Sequence, residues 1–153
     1  MQANPEAKVR SQRTALIYGG AALLSLVGLA DAIYLTVEHI SGRSVKCTIV
    51  SGCSEVLSSP YASFRGIPLA LIGAVAYFSV FSLATLAAFD YKLAGNLLTI
   101  LVAFMFLMTL WLFYLQAVVI GHFCQFCLLS AIVTTILTVL VSIAWRLKPR
   151  LVN

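Results

Sequence analysis

Charge is what this chain has least of: ten Lys and Arg and five Asp and Glu make up 10% of its 153 residues, while 61% are hydrophobic. Soluble domains carry about a quarter charged and about half apolar residues, so the scarcity excludes a soluble fold. Internal repeats and low-complexity tracts are also missing, and no stretch is left over for a second domain. Cysteine is confined to Cys47, Cys53, Cys124 and Cys127. Leu128 follows the C-Q-F-C run where covalent haem attachment needs a His, which excludes that chemistry. The first apolar run is too long for a signal peptide and lacks an A-x-A-like cleavage site, so it reads as a retained span.

What is present is four long apolar runs, at 14–40, 67–89, 97–120 and 123–145. Each is long enough to cross roughly 30 Å of hydrocarbon at about 1.5 Å per residue. The expected fold is therefore all-α: an integral membrane four-helix bundle. Lys and Arg near the span ends set its orientation. With the N-terminus inside, Lys8, Arg10, Arg13, Lys92, Arg146, Lys148 and Arg150 lie in the cytoplasm and Arg43, Lys46 and Arg65 outside, seven against three. Both termini are then cytoplasmic, with 1–13 as a basic, disordered tail, 14–145 as the membrane domain and 146–153 as a second tail. The net charge of +5 is accounted for by topology beside anionic lipid, with no nucleic-acid partner.

This topology puts all four cysteines at the outer face. Loop 41–65 is the sizeable polar segment, and S-G-C-S-E-V-L-S-S-P within it predicts a short helix over 54–59, with Ser54 as N-cap, Glu55 in the first turn and Pro60 as the stop. Val56, Leu57, Tyr61 and Phe64 would hold it on the bilayer surface as a lid over the bundle mouth. Cys124 and Cys127, at i and i+3, share a helix face about 5 Å apart, close enough for a disulfide. In a first turn their thiolates gain from free N–H groups and the dipole, and His122 precedes them. Cys127 is one turn deeper, towards a lipid-soluble oxidant, and Cys124 faces the loop. Cys47 and Cys53 can close a small ring around Gly52, and a mobile loop disulfide meets the access that thiol exchange demands.

The alternatives are a non-enzymatic membrane protein with two static disulfides and a zinc site of four thiolates. A bond closing two intervening residues inside a helix gains little loop-closure entropy, and structural zinc sites use two narrow knuckles where the first pair here is wider. Asp31, in hydrocarbon, is costly and therefore either functional or paired. A proton-handling role suits it because dithiol oxidation releases protons; a neutral, hydrogen-bonded Asp is the other reading. Asp31, Tyr34, Leu35 and Glu38 form a stripe expected to face the bundle. Gly19, Gly20, Ala21, Ser25, Gly28 and Ala32 suit close helix packing.

In order along the chain, Y-L-T-V-E-H, C-x5-C running into C-S-E-V-L-S-S-P-Y, F-R-G-I-P-L-A-L-I-G and F-C-Q-F-C resemble the bacterial vitamin K epoxide reductase homologues, over nearly the whole chain from Leu16 to Trp145. In the related quinone-linked oxidase DsbB the C-x-x-C pair comes first, the reverse of the order here. The resemblance implies a thiol:quinone oxidoreductase of the bacterial or archaeal cytoplasmic membrane. It would reoxidise a DsbA-like thioredoxin-fold protein and pass electrons to a quinone of menaquinone or ubiquinone type. Many bacterial members carry a fused thioredoxin domain and this sequence has none, which implies a separate partner. The resemblance further implies that Cys47 exchanges with the partner, that Cys53 meets Cys124, and that Cys127 lies beside the quinone with Ser59 nearby. The Asn and Tyr that hold the quinone in vertebrate members are replaced by Leu69 and Ala131. A quinone or quinone-epoxide reductase drawing on thiol electrons is the alternative within the same family.

The charge asymmetry yields a direct test. A membrane-impermeant thiol reagent should label Cys47 or Cys53 in intact cells after reduction, and labelling that requires access from the cytoplasmic side would reverse the orientation.

Overall fold

The computed structural model describes residues 5–43, 45, 47, 48 and 52–147; Lys46, Lys148 and Arg150 of the charge count lie outside them. Five α-helices run through it: α1 (Pro5–Ile40), α2 (Cys53–Ser58), α3 (Leu69–Ala88), α4 (Lys92–Tyr114) and α5 (Gln125–Leu147). Four segments are long and apolar enough to cross a membrane: Lys8–Ile40, Leu69–Ala88, Lys92–Ile120 and Gln125–Leu147. The third is α4 extended by a π-turn, Leu115–Ile120, which ends at Gly121 with φ +70°.

Helix α1 holds 36 residues and is therefore about 54 Å long, well beyond the roughly 30 Å of hydrocarbon. Its first turns stand outside the apolar layer, so the segment expected to be a disordered tail is helical from Pro5 onward. Adding residues to a helix already nucleated in lipid costs little, and charged side chains in water do not interrupt it. Helix α4 likewise starts at Lys92, before the apolar run proper, and only Phe89–Tyr91 turn the chain, with Asp90 at φ 68°.

The bundle is apolar outside and tight inside. Leu16, Ile100, Phe104 and Leu107 are more than half exposed, as lipid-facing side chains are. Lipid tails are as apolar as leucine, so helices associate through close packing and interhelical hydrogen bonds. Helix α1 packs on α3 and α5, and α4 on the same two. Ala21, Ser25, Gly28 and Ala32 form the buried seam of α1. Gly28 faces the flat of the Tyr77 ring so closely that a Cβ there would overlap it. Gly19 and Gly20 have nothing within 4 Å of a built Cβ, so they do not take part in the close packing expected of them. The Tyr77 hydroxyl reaches Ser130 Oγ at 2.7 Å and Thr134 Oγ1 at 2.9 Å, tying α3 to α5; each such bond contributes about 0.6 kcal/mol in a membrane interior.

At the opposite end from the termini, the polar loop folds over the bundle. Helix α2 begins at Cys53 with Gly52 as N-cap and no side-chain cap; Ser54, expected there, donates its hydroxyl to Glu55 Oε2 at 2.8 Å. Ser59 is extended, as a residue before proline must be, and Pro60–Ala62 form a 3-10 turn. A hairpin follows, β1 (Ser63–Phe64) against β2 (Ile67–Pro68), turned by Arg65 and Gly66, both with positive φ.

The Gly28 contact predicts a selective penalty. Gly28→Ala should destabilise the detergent-solubilised protein by about 1–3 kcal/mol through overpacking, whereas Gly19→Ala should leave thermal unfolding unchanged or slightly improved. Equal effects at the two sites would remove this seam as the α1–α3 contact.

Candidate functional site

The loop helix and the turn before α5 meet above the bundle. Cys47 and Cys53 are joined in a disulfide, with Cα atoms 5.8 Å apart, and Cys124 and Cys127 are thiols. The sulfurs of Cys47, Cys53 and Cys124 all lie within 4.8 Å of one another. Cys124 is therefore poised beside both sulfurs of the loop disulfide. Three sulfurs so close also resemble a soft-metal cluster, but two of them are bonded to each other and leave one thiolate ligand.

Local sequence explains the approach. A Cβ on Gly52 would stand 2.6 Å from the Phe123 carbonyl oxygen, so only glycine lets the loop backbone touch the turn carrying Cys124. The Thr48 N–H donates to Gln125 Oε1 at 3.2 Å, tying the loop to the glutamine inside C-Q-F-C. Beneath, Leu35, Val45 and Val56 bury Cys53 and Cys124 in one apolar cluster. Cys53 is 1% and Cys124 0% exposed, so this exchange lies beneath the loop, out of reach of a folded protein partner. His122 faces outward. It interacts with Glu55, whose carboxyl is held below its ordinary range mainly by the Ser54 hydroxyl.

Cys124 is the N-cap of α5, its carbonyl accepting the Leu128 N–H at 3.0 Å. Its own N–H donates to Gln116 Oε1 at 3.1 Å. Its thiol is lowered to about 7: the Cys127 thiol donates to it, burial works in the opposite direction, and the Cys127 and Phe126 N–H groups of the open first turn add stabilisation.

Cys127, one turn deeper, lines a cavity of about 160 Å³ enclosed by the long helices and roofed by α2 and Pro60–Ala62. Leu35, Leu57, Leu112, Leu115 and Leu128 give it apolar walls. Most polar groups there are already engaged: Tyr77 with Ser130 and Thr134, Thr109 with the Met105 carbonyl, and Ser59 through its proton with the Val56 carbonyl. Asp31 is different. It lines the cavity, is 8% exposed, and its Oδ1 is the buried side-chain atom without a hydrogen-bond partner among the described residues. Leu69 and Ala131 also line it, contributing wall and no donor.

The stripe expected on α1 is thus divided. Asp31 and Leu35 face the bundle, but Tyr34 is 43% exposed and packs its ring 5.1 Å from Phe126 along the α1–α5 groove. A three-residue step turns the helix by about 300°, which carries Tyr34 off the buried edge. Gln116, Gln125 and Gly52 were not singled out from sequence. An amide in an apolar span was the available signal for Gln116; the roles of Gln125 and Gly52 arise from contacts distant in sequence.

The model of the vitamin K epoxide reductase family matches residues 21–142, which takes in every element of this site. The chain belongs to that family. Its members are membrane oxidoreductases, and this one is a multi-pass membrane oxidoreductase with a disulfide beside a dithiol.

The lowered Cys124 thiol gives a pH signature. Attack of Cys124 on the loop disulfide, trapped as a Cys53–Cys124 bond, should be half-maximal near pH 7 and fall about tenfold for each unit below it, as the thiolate is lost. Cys127→Ala removes the donor and should move the midpoint upward; an unmoved midpoint would reject this account of Cys124 activation.

Proposed function

We propose that this family member is a membrane thiol:quinone oxidoreductase that reoxidises a DsbA-like thioredoxin-fold protein and so sustains disulfide formation. We assign it to the bacterial or archaeal cytoplasmic membrane, with 14–145 as the redox domain, both termini cytoplasmic and the cysteines outside. The observation that carries this reading is the placement of the sulfurs: three within 4.8 Å and the fourth lining an apolar cavity inside the bundle. A static pair of disulfides has no need of a thiol lowered to about 7 next to a second disulfide.

The exchange steps balance as follows. A partner thiolate attacks Cys47, the Cys47–Cys53 bond breaks, and Cys53 leaves as a thiolate. The second partner thiol, losing its proton, resolves the mixed disulfide, which frees the oxidised partner and a reduced Cys47. Cys53 then attacks Cys124 of a Cys124–Cys127 disulfide and releases Cys127; Cys47 closes back on Cys53, regenerating the loop disulfide and reducing the inner pair. Two electrons thereby reach the inner pair, of which Cys127 borders the cavity.

The cavity fits a quinone head group: apolar walls for a ring, and in Asp31 a carboxyl with an unspent oxygen that, protonated, donates to a ring carbonyl. A bound quinone supplies the capacity to accept two electrons and two protons. Asp31 handles those protons and Ser59 borders the head group; Leu69 and Ala131 give no donor and the Ser59 proton is held by Val56, so donation to the ring falls to Asp31. The direction follows from potentials. DsbA itself stands at about −120 mV, and each gap of about 29.6 mV is tenfold for a two-electron couple, so the acceptor must be still more oxidising.

Anaerobic reduction of menaquinone or ubiquinone analogues by reduced DsbA-like protein is the deciding assay. Cys124→Ser and Cys127→Ser should each abolish it. Cys47→Ser and Cys53→Ser should block the protein substrate while a small dithiol still supports turnover, and the Cys47 thiolate of the Cys53→Ser protein, mixed with oxidised partner, should open the partner's disulfide and accumulate a Cys47–partner adduct. Partner oxidation that survives all four substitutions would leave the disulfides static.

A further inference from the structure

Lys92–Ile120 contains two side-chain amides, Asn96 near its start and Gln116 in the π-turn near its end. Gln116 is 6% exposed. π-Turns of this kind recur at functional sites because the widened turn re-aims side chains. Here the re-aimed side chain meets the C-x-x-C turn. Its Oε1 accepts the Cys124 N–H at 3.1 Å, and Gln116 lines the same cavity as Cys127. An N–H can be accepted only by the oxygen end, so the Cys124 backbone dictates which way the amide lies. The NH₂ end is thereby left to the cavity that Cys127 borders. A buried amide with either end unmet would cost about 1–3 kcal/mol, which opposes any flip.

Resting on the thiol:quinone reading, we propose that Gln116 is a positioning residue that receives Cys127 as a thiolate each time the inner disulfide opens. When Cys53 attacks Cys124, the Cys53–Cys124 bond forms, the Cys124–Cys127 bond breaks, and Cys127 departs with the electron pair and no proton. It departs into an apolar cavity. The other titratable groups bordering that space are Asp31 and His39 of α1, Tyr61 of the roof and Tyr77 of α3, with Cys124 adjoining; α4 contributes the Gln116 amide. Asp31 is acidic and Tyr77 is bonded to Ser130 and Thr134. Gln116 is thus a neutral donor that borders the same cavity as the leaving sulfur. A better-stabilised leaving thiolate departs faster, so donation from Gln116 speeds the transfer of electrons from loop to inner pair.

The test needs no quinone. In full-length protein carrying Cys124→Ser, with the loop disulfide intact, alkylation of Cys127 by iodoacetamide is followed against pH by mass spectrometry. Adding Gln116→Met removes donor and acceptor; adding Gln116→Glu keeps an acceptor for the residue-124 N–H and brings a carboxylate to the sulfur. Both should slow alkylation about tenfold at pH 7 and move its midpoint up by about one unit, the worth of one hydrogen bond to a charged sulfur. If Gln116→Glu matches the parent, Gln116 only pins the turn and the proposal fails; unchanged profiles in both variants reject it as well. Should Gln116→Met not fold, Gln116→Glu decides alone. Absence of quinone reduction in the protein with all four cysteines, alongside the shifted Cys127 profiles, would instead count against the quinone reading.

Discussion

Sulfur-to-sulfur exchange demands contact, and the structure depends on the contact between the loop backbone at Gly52 and the Phe123 carbonyl. That approach, closer than any side chain allows, lowers Cys53 onto Cys124 and lets Val56 and Leu35 close over both. Thr48 and Gln125 tie the other arm of the loop to the same turn. Elements more than 60 residues apart in sequence are thereby joined at their reactive atoms. The hairpin and the 3-10 turn complete the roof, so the inner thiol opens onto the cavity and away from water.

In lipid the usual driving force for burial is absent, and this explains why the bundle is apolar on its outside as well as in its core. Its outer surface is leucine, isoleucine and phenylalanine; its interior holds Ser25, Tyr77, Thr134, Asp31 and Gln116. Interior polar groups of this kind serve two ends. Tyr77 spends its hydroxyl on Ser130 and Thr134 and holds α3 to α5, whereas Asp31 keeps an oxygen unspent and Gln116 spends its amide oxygen on the Cys124 N–H. The first kind builds the cavity. The second kind is what distinguishes it from a packing void.

Cys124 and Cys127 illustrate how one short helix turn gives two thiols different surroundings. Cys124, as N-cap, collects donors from the open turn and from its neighbour and faces a disulfide. Cys127 faces apolar walls. A pair in one environment would have no preferred direction of exchange; here the outward thiol belongs to the loop and the inward one to the cavity.

Much of this was legible in the residues themselves. Run length and the scarcity of charge determine four membrane helices, because hydrocarbon thickness is a fixed ruler, and Pro60 ends the loop helix because the residue before a proline must be extended. The order C-x5-C before C-Q-F-C points to the family. Local pattern misjudged the first residues of α1, which ride on a helix nucleated in the membrane, and the cap of α2, where Gly52 displaces Ser54 because the space belongs to Phe123. It also placed Tyr34 on the wrong face and left Gln116 unremarked. Composition and periodicity determine which segments enter the membrane, since that is a partition of each segment between two solvents. Which side chains meet inside, how near Cys124 lies to the loop disulfide and where the Gln116 amide points were decided only by tertiary structure, because those distances depend on how four separate helices and one loop pack together.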